Sequence, residues 1–404
     1  MKIITTNTPT LTLLNYKYIE YVLNESTIIS WQEKAKPQSA VWQSEANLAA
    51  PKNIIIADDT TNAKAAYIQV CEGAGLLYRG GDFQNAKQLL QAITKRFDSK
   101  PVKPTATMLE AFHQHRARQI QRASITNKIL ILLEGGSSYL RRAPDVKDAV
   151  ANSIASKLPA KMVLSLRELL GMIGANEWRK KGVFIDALEA PIHPYYGVYS
   201  PVRSEYLELV QTAKFHDQVL LNNVKTAFDI GTGTGVIAAI LAKRGVRQIA
   251  ATDNNPRALH CATANMESLG LAKQVILIEA NLFPTNNVKA DLIVCNPPWL
   301  PAKANAPIEH AIYDPNSAML KGFLSGVSAH LNVDGEAWLL MSNLAELIGL
   351  RSADELATWI ADAGLSVLEK LDIKPKHAKS TDQSDPLYAA RVKEVTSLYR
   401  LKPC

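Results

Sequence analysis

The run Phe228-Asp229-Ile230-Gly231-Thr232-Gly233-Thr234-Gly235 constrains the fold more than any other stretch of this chain. A short apolar strand over 226–230 enters a glycine turn and leaves it as the helical pattern 236–244. Bare backbone can therefore approach a ligand at a helix N-terminus. That is a Rossmann-type strand, turn and helix. The usual dinucleotide fingerprint is not met, because the third glycine falls at Gly235 and Val236 follows it. No Gly-Lys-Ser/Thr follows either, which argues against a phosphate-cradling P-loop.

Downstream residues separate the possible cofactors. A second strand over 248–252 runs into Asp253, where a carboxylate can accept hydrogen bonds from both hydroxyls of a ribose. NAD and S-adenosylmethionine share that need. Asp229, at the first turn, would repel a pyrophosphate but suits the ammonium of a methionine moiety. S-adenosylmethionine is the better fit. Asn296-Pro297-Pro298-Trp299 then follows 61 residues after Gly235.

Taken in order and spacing, Asp229 to Gly235, Asp253, Glu279-Ala280-Asn281 and Asn296 to Trp299 resemble the motifs of class I S-adenosylmethionine-dependent methyltransferases. The Asn-Pro-Pro-aromatic tetrad resembles the branch that methylates planar nitrogens. That branch includes the release-factor glutamine methyltransferases, ribosomal-RNA guanine methyltransferases of the small type, and adenine methyltransferases. The resemblance covers roughly 183–404. It implies a cofactor site of Asp229, Gly231, Thr232, Gly233, Gly235, Asp253, Asn254 and Asn281. One departure is Asn281, where family members usually carry Asp; an amide oxygen can still accept a hydrogen bond.

An amide or exocyclic amino nitrogen is a poor nucleophile because its lone pair is delocalised. It has to be aligned. The Asn296 side-chain oxygen and the Pro297 carbonyl would accept its two N–H groups, with Pro297 and Pro298 stiffening the loop. Trp299 offers a flat face on which a base or planar amide can stack. Asn296, Pro297 and Trp299 are therefore the expected catalytic residues. Tyr313 and Asp314 follow in the same loop, where a substrate contact competes with helix capping by Asp314. Arg203 could hold a substrate anion at the rim, and Glu346 and Arg351 read as helix-surface residues.

A chain of 404 residues suggests two or three domains. Residues 1–181 read as a mainly α-helical, basic recognition domain. Residues 182–215 read as a β-hairpin and helix connector, similar to the hairpin that follows the helical domain of the release-factor enzymes. Residues 216–404 alternate strand and helix as an α/β, seven-stranded Rossmann-like methyltransferase domain, its last strand antiparallel by the resemblance. Within the first unit, 63–78 and 83–97 form a helix pair around Gly80-Gly81, with Asp82 as a cap and some likeness to one tetratricopeptide hairpin. Ser165 opens a capping box for a later helix.

Charge is unevenly spread: residues 79–181 hold 19 Lys/Arg against 8 Asp/Glu, while 201–404 hold 20 against 21. Arg116, Arg118, Arg122, Arg141 and Arg142 are the expected grip on a polyanion. The four cysteines are scattered without paired spacing, so neither a disulfide framework nor a metal site is expected. No apolar stretch approaches a bilayer span, and the polar N-terminus lacks a signal-peptide core. Cytoplasmic placement is expected. The sequence implies an N-methyltransferase acting on a macromolecule, with a base in ribosomal or transfer RNA ahead of a protein glutamine. A non-catalytic RNA-binding protein that retains the fold is a further alternative.

Overall fold

The computed structural model describes residues 27–154, 157–201, 205–285, 288–376 and 381–404. The described part of the N-terminal unit is built on a sheet. Strands β1 (Ile28–Glu33), β2 (Lys36–Trp42) and β3 (Ile54–Ala57) precede helix α1 (Ala63–Cys71) and β4 (Gly75–Tyr78). Then come α2 (Phe83–Asp98), α3 (Met108–Thr126), β5 (Ile129–Glu134), α4 (Lys147–Ala151), β6 (Lys161–Ser165) and α5 (Leu166–Lys181). The six strands order as β1-β2-β6-β5-β4-β3, with β3, β4 and β5 mutually parallel.

The expectation of a mainly helical domain over 1–181 is thus corrected to an α/β unit; residues 1–26 lie outside the described residues. The cause lies in the apolar runs. Gly75–Tyr78 is buried at every position and Ile129–Glu134 at all but the last. A strand buried on both faces does not alternate, so its sequence cannot be told from a buried helix by period alone. The expected 63–78 helix accordingly ends at Cys71, and its last four residues are β4. The helix from Phe83 is present, with Asp82 accepting from Gln84 N at 2.8 Å. Its Phe83, Ala86, Leu89, Leu90, Ile93 and Phe97 are buried at helical spacing against the sheet. Ser165 caps α5 as expected, accepting from the amides of Arg167 and Glu168.

The connector is a small hairpin, β7 (Val183–Ile185) with β8 (Ala190–Ile192), followed by α6 (Glu205–Thr212). The second unit runs β9 (Thr226–Ile230), α7 (Val236–Lys243), β10 (Gln248–Asp253), α8 (Pro256–Ser268), β11 (Val275–Glu279) and β12 (Ala290–Cys295). It continues through α9 (Ala318–His330), β13 (Leu331–Ser342), α10 (Leu344–Ile348), α11 (Glu355–Asp362), β14 (Leu365–Ile373), a helical turn α12 (Tyr388–Arg391) and β15 (Thr396–Pro403). Its seven strands order as β11-β10-β9-β12-β13-β15-β14, with β15 antiparallel to both neighbours. Residues 344–362 form two helices, because Gly349 at φ +87° ends α10 in the left-handed region.

Helix α7 is buried from Val236 through Ala242, and its side chains join the core on one face of the sheet. The other face carries Phe228, Ile230, Leu320, Phe323 and Leu339. Burying each such side chain contributes roughly 1.5–3 kcal/mol. The two large units also share an apolar seam, where Ala111 and Phe112 of α3 pack with Leu300, Leu344, Ala345, Ile348, Leu387 and Ala390. No described helix is long and apolar enough to cross a membrane.

Candidate active site

The order of the second sheet reverses between β9 and β12, so a crevice opens at the carboxyl ends of those two strands. Register fixes what faces it. Ile230 pairs with Cys295, which places Gly231 and Asn296 side by side just beyond the last pair.

Backbone geometry explains the glycines. Gly231, Gly233 and Gly235 lie at φ +73°, +56° and +82°, a region costly for residues with a Cβ. The amides of Gly231 and Thr232 donate to Thr252 O at 2.9 and 2.8 Å, hooking the turn onto β10. A side chain at Gly231 would meet Met319, and one at Gly235 would meet Met266 and Ala262. At Gly233 nothing lies within 4 Å of that position, so bare backbone borders open space there.

Asp229 is buried, and its two oxygens differ. One accepts from Thr232 Oγ1 at 2.6 Å and Ala238 N at 3.0 Å. The other, Oδ1, is buried with no hydrogen-bond partner. Burial pushes its pKa up to about 6, with the Thr232 and Ala238 bonds opposing the shift. An unpartnered buried carboxylate oxygen beside an open glycine turn fits an incoming ammonium donor. Asp253 accepts from Gly233 N at 3.0 Å and from Asn255 N at 2.9 Å. Its pKa is raised, again mainly by burial. Asn254 and Asn281 are both exposed, in the bends after β10 and β11.

After β12 the chain passes through Pro297 and Pro298 to Trp299. The indole Nε1 donates to Asn296 Oδ1 at 3.0 Å and to Leu340 O at 3.3 Å. Tyr206 of α6 meets the same ring edge-on, centroids 6.5 Å apart. The following loop is pinched shut, with Asp314 N donating to Leu300 O at 2.9 Å. Asp314 itself caps α9, accepting from the amides of Met319 and Leu320 at 3.0 and 3.1 Å, so capping is its use here. Glu346 and Arg351 pair with each other at 2.8 Å. Arg203 lies outside the described residues.

The five expected polyanion contacts have partners within the chain. Arg116 lies over the Tyr313 ring at 3.8 Å and near Glu309 at 3.7 Å, bracing the loop after Trp299. Arg118 donates to the carbonyls of Asp98 and Lys100, and Arg122 pairs with Asp98 at 2.9 Å. Arg141 pairs with Asp59 at 2.8 Å and Arg142 with Asp82 at 2.6 Å. Each of the five is engaged within the chain, with the Arg141 and Arg142 side chains still 72% and 70% exposed beside their partners. Asp59 and Glu309 lie outside 79–181, so the local charge balance does not register those two pairings.

A cleft of about 1030 Å³ lies between the units. The residues from Trp42 to Ala49, Trp178 of α5, Tyr195 and Tyr196 form one side of it. The start of α8 at Asn255–Arg257, two residues past Asp253, and the loop at 306–308 also line it. Its charged lining groups, Glu45 and Arg257, are paired with each other. Sequence reasoning missed this cleft because its residues come from six separate segments. Among the described residues no group of three or more His, Cys, Asp or Glu could hold a metal.

A seven-stranded sheet ending in a reversed hairpin, with a glycine turn and two acids at its switch point, defines a class I S-adenosylmethionine-dependent methyltransferase domain. Residues 210–353 match the methyltransferase small domain. S-adenosylmethionine is its cofactor. The chain is 32% identical over 177 residues to a release factor glutamine methyltransferase of Cereibacter sphaeroides, across 40% of this chain and 61% of that one. It is 30% identical over 137 residues to a tRNA1(Val) (adenine(37)-N6)-methyltransferase of Cytophaga hutchinsonii, across 32% and 57%. It is also 38% identical over 71 residues to a ribosomal protein L11 methyltransferase of Pelotomaculum thermopropionicum, across 18% and 23%. The chain thus spans about three fifths of the first two relatives' length, or less.

Proposed function

We propose that the chain transfers a methyl group to a planar nitrogen of a macromolecule, an RNA base in first place. The observation that carries the transfer is the register that sets Asn296 beside Gly231, bringing an amino-nitrogen clamp to the edge of the cofactor turn. S-adenosylmethionine, when bound, supplies a methyl group on a positively charged sulfur. Asp253 would hold its ribose, the Asp229 oxygen its ammonium, and the exposed Asn254 and Asn281 its adenosine end.

The chain's own residues then have to align the acceptor. Asn296 Oδ1 would take one of its N–H groups and the Pro297 carbonyl the other, turning the nitrogen lone pair towards the cofactor. These bonds strengthen as the nitrogen becomes positive, so they stabilise the transition state more than the ground state. An intact clamp argues against a purely RNA-binding role, which has no use for one.

Support for RNA comes from the cleft. Trp42, Trp178, Tyr195 and Tyr196 line it, Trp178 is 55% exposed, and Arg179, Lys180 and Lys181 follow at the end of α5. Aromatic faces beside cations suit unstacked bases and their phosphates. The net charge of 79–181 adds attraction at a distance. Protein glutamine is the second reading, favoured by the name of the 32%-identical relative. Cytoplasmic placement belongs to the same proposal.

The test is to incubate the full chain with radiolabelled S-adenosylmethionine and extract from cells lacking it, then digest with nuclease or protease. Label released by nuclease supports the RNA reading. Label released by protease replaces it with the protein reading, and no label in either fraction rejects both.

A further inference from the structure

Trp299 stands where a ring could stack on the acceptor, yet its polar edge is committed inward. Its Nε1–H is shared between Asn296 Oδ1 at 3.0 Å and the carbonyl of Leu340 at 3.3 Å. Leu340 is fully buried in β13, so one end of this bond is fixed to the rigid centre of the sheet. Tyr206, itself buried on α6, meets the indole at 90°. The ring also packs against the core cluster that contains Phe228, Ile230 and Cys295. Connector helix, central strand and acceptor loop therefore all hold the same side chain.

An asparagine side chain left to itself turns about its last torsion through a broad well. An indole donor ends that freedom for Asn296. The carboxamide oxygen has two lone pairs, one directed at Trp299 and one left over. Phenylalanine at 299 has no donor, and tyrosine carries its hydroxyl at the far tip of the ring, away from where Nε1 sits.

We propose that Trp299 is a positioning residue, which fixes the Asn296 carboxamide so that its remaining lone pair meets the acceptor nitrogen. The proposal rests on the N-methyltransferase reading above and deepens it. It assigns the aromatic of the tetrad to orienting the clamp in place of stacking on the acceptor. A clamp oxygen held within a fraction of an ångström accounts for how a neutral amide could align a weak nucleophile.

Two measurements on the full chain decide it. The first compares Trp299→Phe and Trp299→Tyr with wild type on the acceptor found by the labelling assay. Positioning predicts a kcat lower by about ten- to a hundredfold for Trp299→Phe, with acceptor KM and cofactor affinity nearly unchanged. Stacking predicts that both rings keep kcat, and that result overturns the proposal. A loss expressed mainly in acceptor KM overturns it too. The second uses nitrogen-15 labelled tryptophan without cofactor or acceptor. The indole N–H resonance assigned to Trp299 by its loss in Trp299→Phe should move in Asn296→Ala and stay near its place in Asn296→Asp, which keeps an acceptor oxygen. A resonance indifferent to Asn296→Ala overturns the proposal whatever the activity. If wild type methylates nothing, the functional reading fails while this second measurement still decides the Trp299–Asn296 bond.

Discussion

Gly233 donates its backbone N–H to Asp253 across 3.0 Å, so the glycine turn after β9 and the acidic tip of β10 form one unit. Asp253 thereby shapes the turn as well as facing a ribose. Asp253→Ala should weaken S-adenosylmethionine binding by about 1–3 kcal/mol, the cost of unpaired buried polar groups. Asp253→Asn, which keeps an acceptor for Gly233, should lose less. Calorimetry on the two variants checks the order, and equal losses would remove the coupling.

Asp229 gives a pH dependence. Burial pushes its pKa up to about 6, above the ordinary carboxyl value, so the folded chain holds this proton more tightly than the unfolded chain. The group therefore favours folding at low pH, and that contribution, about 3 kcal/mol, is lost as pH rises through 6. The charge that appears is the one an ammonium needs. S-adenosylmethionine affinity should rise between pH 5 and 7 in step with this ionisation, whereas Asp229→Asn should bind more weakly and flatten the profile. Titrations at four or five pH values suffice, and a rising profile that survives in Asp229→Asn would place the ionisation elsewhere.

Asn296 should matter to turnover and not to cofactor affinity. Asn296→Ala should lower kcat by about two orders of magnitude, the scale of losing one aligned polar contact in a transition state. Its dissociation constant for S-adenosylmethionine should match wild type. Undiminished turnover would detach Asn296 from the chemistry.

Arg122, Arg141 and Arg142 are tied to Asp98, Asp59 and Asp82. Replacing each with Gln should alter stability by about 0–1 kcal/mol, as for partly exposed ion pairs, with little change in RNA affinity. Trp178→Ala in the cleft should weaken RNA binding by about 1–3 kcal/mol if a base stacks there. Binding measured at several salt concentrations separates the two sets, and the opposite pattern would return the grip to the arginines.

The second unit was legible because its strands and helices alternate and its glycines mark turns that few other residues can make. Strand 226–230 and the strand that runs from 248 into Asp253 stand where the sequence placed them. The N-terminal unit was not legible for the converse reason: Gly75–Tyr78 and Ile129–Glu134 are apolar at nearly every position, and period carries no information once both faces are buried. The resemblance pointed to Asn296 and Trp299 individually. Their bond depends on how Leu340, on a strand forty residues later, receives the indole, and no local pattern encodes that.

Phe112 and Arg116 of α3 reach across to Leu300 and Tyr313, so the boundary at residue 181 divides the sequence and not the working machine. Expressed alone, the catalytic half would bare Leu300, Leu344, Ala345, Ile348, Leu387 and Ala390 to water as a sticky patch. The acceptor loop would lose its outer buttress in the same cut. A truncated fragment that clumps or idles therefore speaks to a missing scaffold, and dissection of this protein has to proceed by substitution within the whole chain.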